Sequence, residues 1–151
     1  MVRNKTILKV GILLAFFCSF LAINSARAED TTAQILTQVD EILAMNPPKD
    51  GEKAQMIKVA QTDAVSVLII RLLQGAEVKP HYHKTHEETV YVIKGSGQML
   101  VNDKWVELKA GTIHFNPMNA VHSVKNTAEE PLVAVSVFTP SMKEPDRHLV
   151  K

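Results

Sequence analysis

The sequence predicts an all-β domain, an antiparallel sandwich or small barrel, entered through one N-terminal amphipathic helix. Seven short runs rich in β-branched and large apolar residues follow Gly51. Turn-forming residues separate these runs closely, with no helical stripe between them, the texture of an antiparallel architecture. One stretch ahead of them repeats its apolar residues at helical spacing.

The first residues read as a targeting segment. Arg3, Lys5 and Lys9 make a basic start, and Val10 to Ile23 forms an apolar core. Ala26 and Ala28 then place small residues where a signal peptidase reads, so residues 1–28 are expected to be a signal peptide. An uncleaved membrane anchor is the alternative, although the run falls short of the ~20 residues a bilayer requires. A lipid anchor on Cys18 is disfavoured by the bulky Phe16 and Phe17 before it. Cleavage removes four of the 17 basic residues and none of the 16 acidic ones, turning a formal charge of +1 into −3. With no basic block left, nucleic acid and anionic membrane are poor partners, and no stable membrane anchor remains. The only cysteine leaves too, so disulfides and thiolate ligands are excluded from the exported, periplasmic or secreted protein. The remaining 123 residues make one domain.

Residues 29–50 are expected to form the helix and a linker. Ile35, Leu36, Val39, Ile42 and Leu43 make one stripe between Thr31 and Met45, with Thr31 or Thr32 as cap. Asn46-Pro47-Pro48 ends it, because the residue before a proline is driven out of the helical region. The stripe is expected to pack on the domain; binding a partner is the alternative.

Residues 51–151 hold the strands. Met56–Ala60, Val65–Leu73, Val90–Ile93, Met99–Val101, Trp105–Leu108, Val121–Val124 and Leu132–Phe138 are the predicted runs. Gly75, Gly95-Ser96-Gly97, Asn102-Asp103, Gly111 and Asn116-Pro117 are their punctuation. Val65–Leu73 is apolar at both parities except for Ser66 and Arg71, so both of its faces should be covered. The second cover is another subunit or the N-terminal helix, and a homodimer is expected.

The stretch HYHKTHEE, His81 to Glu88, concentrates chemistry. On a strand His81 and His83 project to one side, close enough to share an ion. Imidazoles suit divalent transition metals, and a carboxylate adds neutralising charge. Glu88 shares parity with Val90 and Val92 and is the better carboxylate; a bulge would substitute Glu87. His122 opens a late strand after the turn Pro117-Met118-Asn119, well placed to close the site.

These residues resemble the two motifs of the cupin superfamily. Gly75, His81-Tyr82-His83, Glu88 and Gly95 match the first motif at its spacing, and Gly111, Pro117, His122 and Asn126 match the second. One anchor departs: Asn119 stands where that motif has glycine, and asparagine is the best substitute at positive φ. The resemblance implies a small jelly-roll β-barrel, with one divalent transition metal held at the positions of His81, His83, Glu88 and His122. Manganese, iron, nickel or cobalt would keep two positions open for a substrate; zinc would more readily be structural.

Cupin relatives include isomerases, lyases, decarboxylases and dioxygenases, so the resemblance implies an enzyme acting on a small oxygen-rich molecule such as a sugar or organic acid. A non-catalytic small-molecule binder and a barrel stapled by a structural metal are the other readings. Beyond the ligands, His86 is a weak catalytic candidate, with the surface as its expected place. Arg71 would clamp a substrate carboxylate if it pointed inward; a barrel edge or subunit interface is the other placement. Gln98 is a possible cavity residue whose register decides its facing, and Tyr91 and Trp105 are expected to pack. His148 is expected in solvent.

Overall fold

The computed structural model describes residues 34–150; the predicted signal segment, Thr31 and Thr32 lie outside them. One short helix, α1 (Val39–Met45), precedes ten strands. In chain order they are β1 (Ala54–Gln61), β2 (Ser66–Leu72), β3 (Glu77–Tyr82), β4 (Glu87–Lys94) and β5 (Ser96–Val101), then β6 (Lys104–Lys109), β7 (Ile113–Asn116), β8 (His122–Lys125), β9 (Leu132–Thr139) and β10 (His148–Leu149).

The strands form two five-stranded sheets, ordered β1-β2-β9-β4-β7 and β10-β3-β8-β5-β6. Every pairing is antiparallel, and most neighbours are distant in sequence. The sheets face one another without closing into a continuous barrel, a double-layered form of the jelly roll. Between them lies the main core: Leu72, Val92 and Leu132 from the first sheet against Met99 and Leu108 from the second. Each such side chain contributes about 1.5–3 kcal/mol by leaving water.

A second cluster explains why β2 is apolar at both parities. Its inward residues join the main core, whereas Ile69 points outward and packs with Val133 beneath Ile42 and Leu43 of α1. Among the described residues, then, the helix supplies the second cover. α1 is shorter than the predicted helix: Gln38 is its extended N-cap, and Leu36 is 96% exposed.

Arg71 stands on this outward face and leaves the cavity. Its guanidinium donates to the carbonyls of Leu43 and Asn46 and to Gln55 Oε1. A cation there satisfies the orphan carbonyls and the negative end of the helix. Arg71 is therefore a buried helix cap.

The turn chemistry follows the sequence. Asn102 and Asp103 both have positive φ in the two-residue β5–β6 hairpin. Gly95 sits at φ +80°, where an added Cβ would meet the Pro131 carbonyl oxygen at 2.4 Å, so no larger residue fits that approach.

Candidate metal centre

β3 and β8 pair with His81 opposite His122, so the two rings meet with centroids 4.2 Å apart. His83 follows just past the end of β3, its ring centroid 5.1 Å from that of His81 and 5.2 Å from that of His122. One ring nitrogen from each of the three lies within 4.8 Å of the others, and all three residues are buried.

Each ring is oriented by a backbone carbonyl. Nδ1 of His81 lies 2.9 Å from the Lys79 oxygen, that of His83 lies 2.7 Å from Asp146 O, and that of His122 lies 3.0 Å from Ala120 O. A carbonyl can only accept, so the neutral ring carries its proton on Nδ1 and keeps the Nε2 lone pair free. Nε2 of His83 and of His122 are buried with no hydrogen-bond partner. Glu88 Oε2 stands 3.2 Å from that His122 nitrogen, without hydrogen-bond geometry. Asn116 Nδ2 donates to the same carboxylate at 2.9 Å, and Ser136 donates to its other oxygen.

Unpaired lone pairs facing a carboxylate in a buried pocket are costly unless a cation sits among them. The residues therefore fit a divalent transition metal, with His81, His83 and His122 as nitrogen donors and Glu88 at the edge of the group. Glu88 lies beside the three-histidine cluster, bound to Ser136 and Asn116.

The comparisons with known proteins agree with this geometry. The family model described as Cupin domain matches residues 68–138, β2 through β9. The chain belongs to the cupin superfamily. An uncharacterized protein of Aquifex aeolicus is 35% identical to this cupin over 106 residues, covering 69% of this chain and 85% of that one. The pectin degradation protein KdgF of Dickeya dadantii is 29% identical over 91 residues, 60% of this chain and 80% of its own. A Klebsiella pneumoniae protein with a double-stranded β-helix domain superposes with a TM-score of 0.67 at 26% identity, covering 78% of this chain and 100% of that one.

Two segments brace the cupin's ligands. In the turn before β8, Asn119 adopts φ 64°, as its substitution for glycine predicts, and its N–H donates to the His83 carbonyl at 2.7 Å. The second brace is the chain after β9. Residues 140–149 cross the cavity mouth as a strap and end as β10, paired with β3. Asp146 is its anchor: Oδ2 accepts from Thr85 N and from Thr85 Oγ1, each at 2.8 Å, and lies 2.8 Å from His86 Nδ1. Burial alone would push this carboxyl up; its hydrogen bonds with His86 and Thr85 outweigh that and hold it far below the ordinary carboxylate value.

His86 is therefore buried, against the surface place expected for it, with Nε2 3.2 Å from the Ser141 carbonyl. Neither it nor Arg71 lines the cavity. His148 stacks on Tyr82 and contacts Asp146 rather than standing free in solvent. Gln98 faces away from the cavity while Met99 enters it. Tyr91 is 46% exposed rather than packed, and Trp105 lies outside beneath Lys125 Nζ, 4.0 Å from its ring centroid. The sequence reading missed Asn116, Ser136 and Asp146, and His114 lines the cavity and bonds Asn116.

The electrostatics keep the cluster ready for a cation. Burial and the neighbouring His122 lower His81 from 6.5 to about 4, and burial lowers His83 as well. Burial pushes the Glu88 carboxyl up, but adjacent His122 and Ser136 bring it below its ordinary value. The folded pKa of His81 lies below its unfolded value, so between these values the unfolded chain binds the proton first. Metal-free protein should thus keep its full stability above pH 6.5 and lose it as the pH falls towards about 4. The unfolding free energy from urea titrations across that window should drop by on the order of 3 kcal/mol from His81 alone; a flat profile would contradict the buried, neutral ring.

Proposed function

We propose that this chain is an exported, metal-dependent enzyme of isomerase, lyase, decarboxylase or dioxygenase type. Its substrate would be a small oxygen-rich molecule such as a sugar or organic acid. One observation carries the reading: three buried histidines with their Nε2 lone pairs turned inward, and a carboxylate beside them, on the wall of a cavity of about 500 Å³. Such a volume suits a small molecule.

His81, His83 and His122 would hold one divalent ion (manganese, iron, nickel, cobalt or zinc), and Glu88 would offset its charge. When bound, the ion supplies Lewis acidity at the cavity wall. Asn116 and Ser136 fix the carboxylate, the carbonyls of Lys79, Ala120 and Asp146 fix the rings, and the strap limits water. The likeness to a pectin degradation protein supports the enzymatic reading.

Metal analysis of purified protein tests this. About one divalent transition metal per chain is expected, with loss of the ion in His83→Ala; an unchanged content in that variant would refute the assignment. A non-catalytic binder is the second reading, favoured because His86 and Arg71 are both engaged away from the cavity. Turnover by the metal-loaded protein, as opposed to ligand binding alone, separates the two.

We also propose that the mature protein is a homodimer. Ile113 and Phe115 on edge strand β7, 70% and 53% exposed, flank Tyr91 on the outer face of the first sheet, and a second copy would cover them. Intact mass and sedimentation of the exported chain check both points: a start at Glu29 and twice the chain mass are expected. An unprocessed or monomeric species refutes the corresponding part.

A further inference from the structure

The walls beyond the metal centre are apolar. Moving from Glu88 along β4, the cavity is lined by Val90 and Val92; from His122 along β8 by Val124; and from Phe138 back along β9 by Ala134. Ile70 of β2 completes this wall.

The polar residues of the lining, apart from the metal centre and the strap, are engaged or turned to solvent. Gln55 Oε1 accepts from Arg71, Thr112 Oγ1 accepts from Lys109 N, His114 Nε2 bonds Asn116 Oδ1, and Glu77 is exposed. A polyhydroxylated ligand pushed into this chamber would leave several hydroxyls unpaired, each costing about 1–3 kcal/mol. An apolar body would instead gain by leaving water. The mouth has the opposite character. Arg147, exposed and lining the same opening, immediately precedes the β10 pairing of His148 with Tyr82 and of Leu149 with His81. It sets a cation near the metal end.

We infer that the ligand is an anionic chelating acid with an apolar body: an oxygen pair for the metal and Arg147 at one end, and an aryl or alkyl group in the chamber. Within the substrate class proposed above, this favours organic acids over sugars. The inference rests on the metal-centre reading and narrows it.

Hydroxamic acids separate the two, because they present one chelating head on bodies of any kind. Protein loaded with nickel(II) is titrated calorimetrically with acetohydroxamate, butanohydroxamate, hexanohydroxamate and gluconohydroxamate. Acetohydroxamate should bind weakly, and each added methylene should tighten binding by about fourfold. Gluconohydroxamate should bind no better than acetohydroxamate. Equal affinities along the alkyl series, or tightest binding by the gluconate derivative, would overturn the apolar-body inference and leave the metal centre standing. If the protein takes up no nickel, the metal-centre reading falls and this inference with it; if no hydroxamate of the series binds the loaded protein, this inference alone falls.

Discussion

Adding a divalent transition metal to the metal-free protein will raise its thermal midpoint, and His122→Ala will abolish the rise. A ligand that binds only the folded state stabilises it by mass action, about 2.7 kcal/mol at a hundred times its Kd. For a domain of this size that corresponds to roughly 10 °C. His122 is the right residue to remove because it stands at the centre of the arrangement, opposite His81 in the strand pairing and 3.2 Å from Glu88. Its loss should weaken metal binding by more than the roughly 10- to 100-fold typical of an outer contact. Scanning calorimetry with and without chelator measures it. If His122→Ala responds to metal as the parent does, the ion is held elsewhere.

Asp146→Ala will lower both stability and metal affinity, although its side chain is not a ligand. The carboxylate is the acceptor for Thr85 N and Thr85 Oγ1, and its Oδ1 lies 3.0 Å from His148 Nε2. Emptying that position strands several donors at a buried site, a loss of about 3 kcal/mol. The same residue's carbonyl holds Nδ1 of His83, so loosening the strap lets that ring turn. A fall of about 10- to 100-fold in metal affinity is expected. Urea midpoints and metal titrations of Asp146→Ala, with Asp146→Asn retaining the shape, read the two effects separately. Parent-like values in both would make the strap a passive cover.

The core of the site was legible because its signals are local. His81 and His83 lie two residues apart, Glu88 shares the inward parity of Val90, and Asn119 marks the turn before His122. The strand pattern was equally plain, except where it departs from β composition. β3 carries Pro80 and a register shift between Val78 and His81, and only the spacing of His81 and His83, the latter just past its end, hinted at a strand. Arg71 was ambiguous because β2 is apolar on both faces, so parity could not say which side held the cavity and which the helix. The strap was invisible for another reason. Its grip on His83 runs through a backbone carbonyl, which every residue possesses, across 63 positions of sequence. His86 belongs to that same long-range contact, which is why its burial could not be foreseen.

The position of β9 has a consequence for how this molecule comes into being. It lies between β2 and β4 in the first sheet, yet Leu132–Thr139 follows both of them in the chain, with four further strands after β4 intervening. Until it arrives, β2 and β4 lack the one neighbour they share, and the first sheet cannot close around its core.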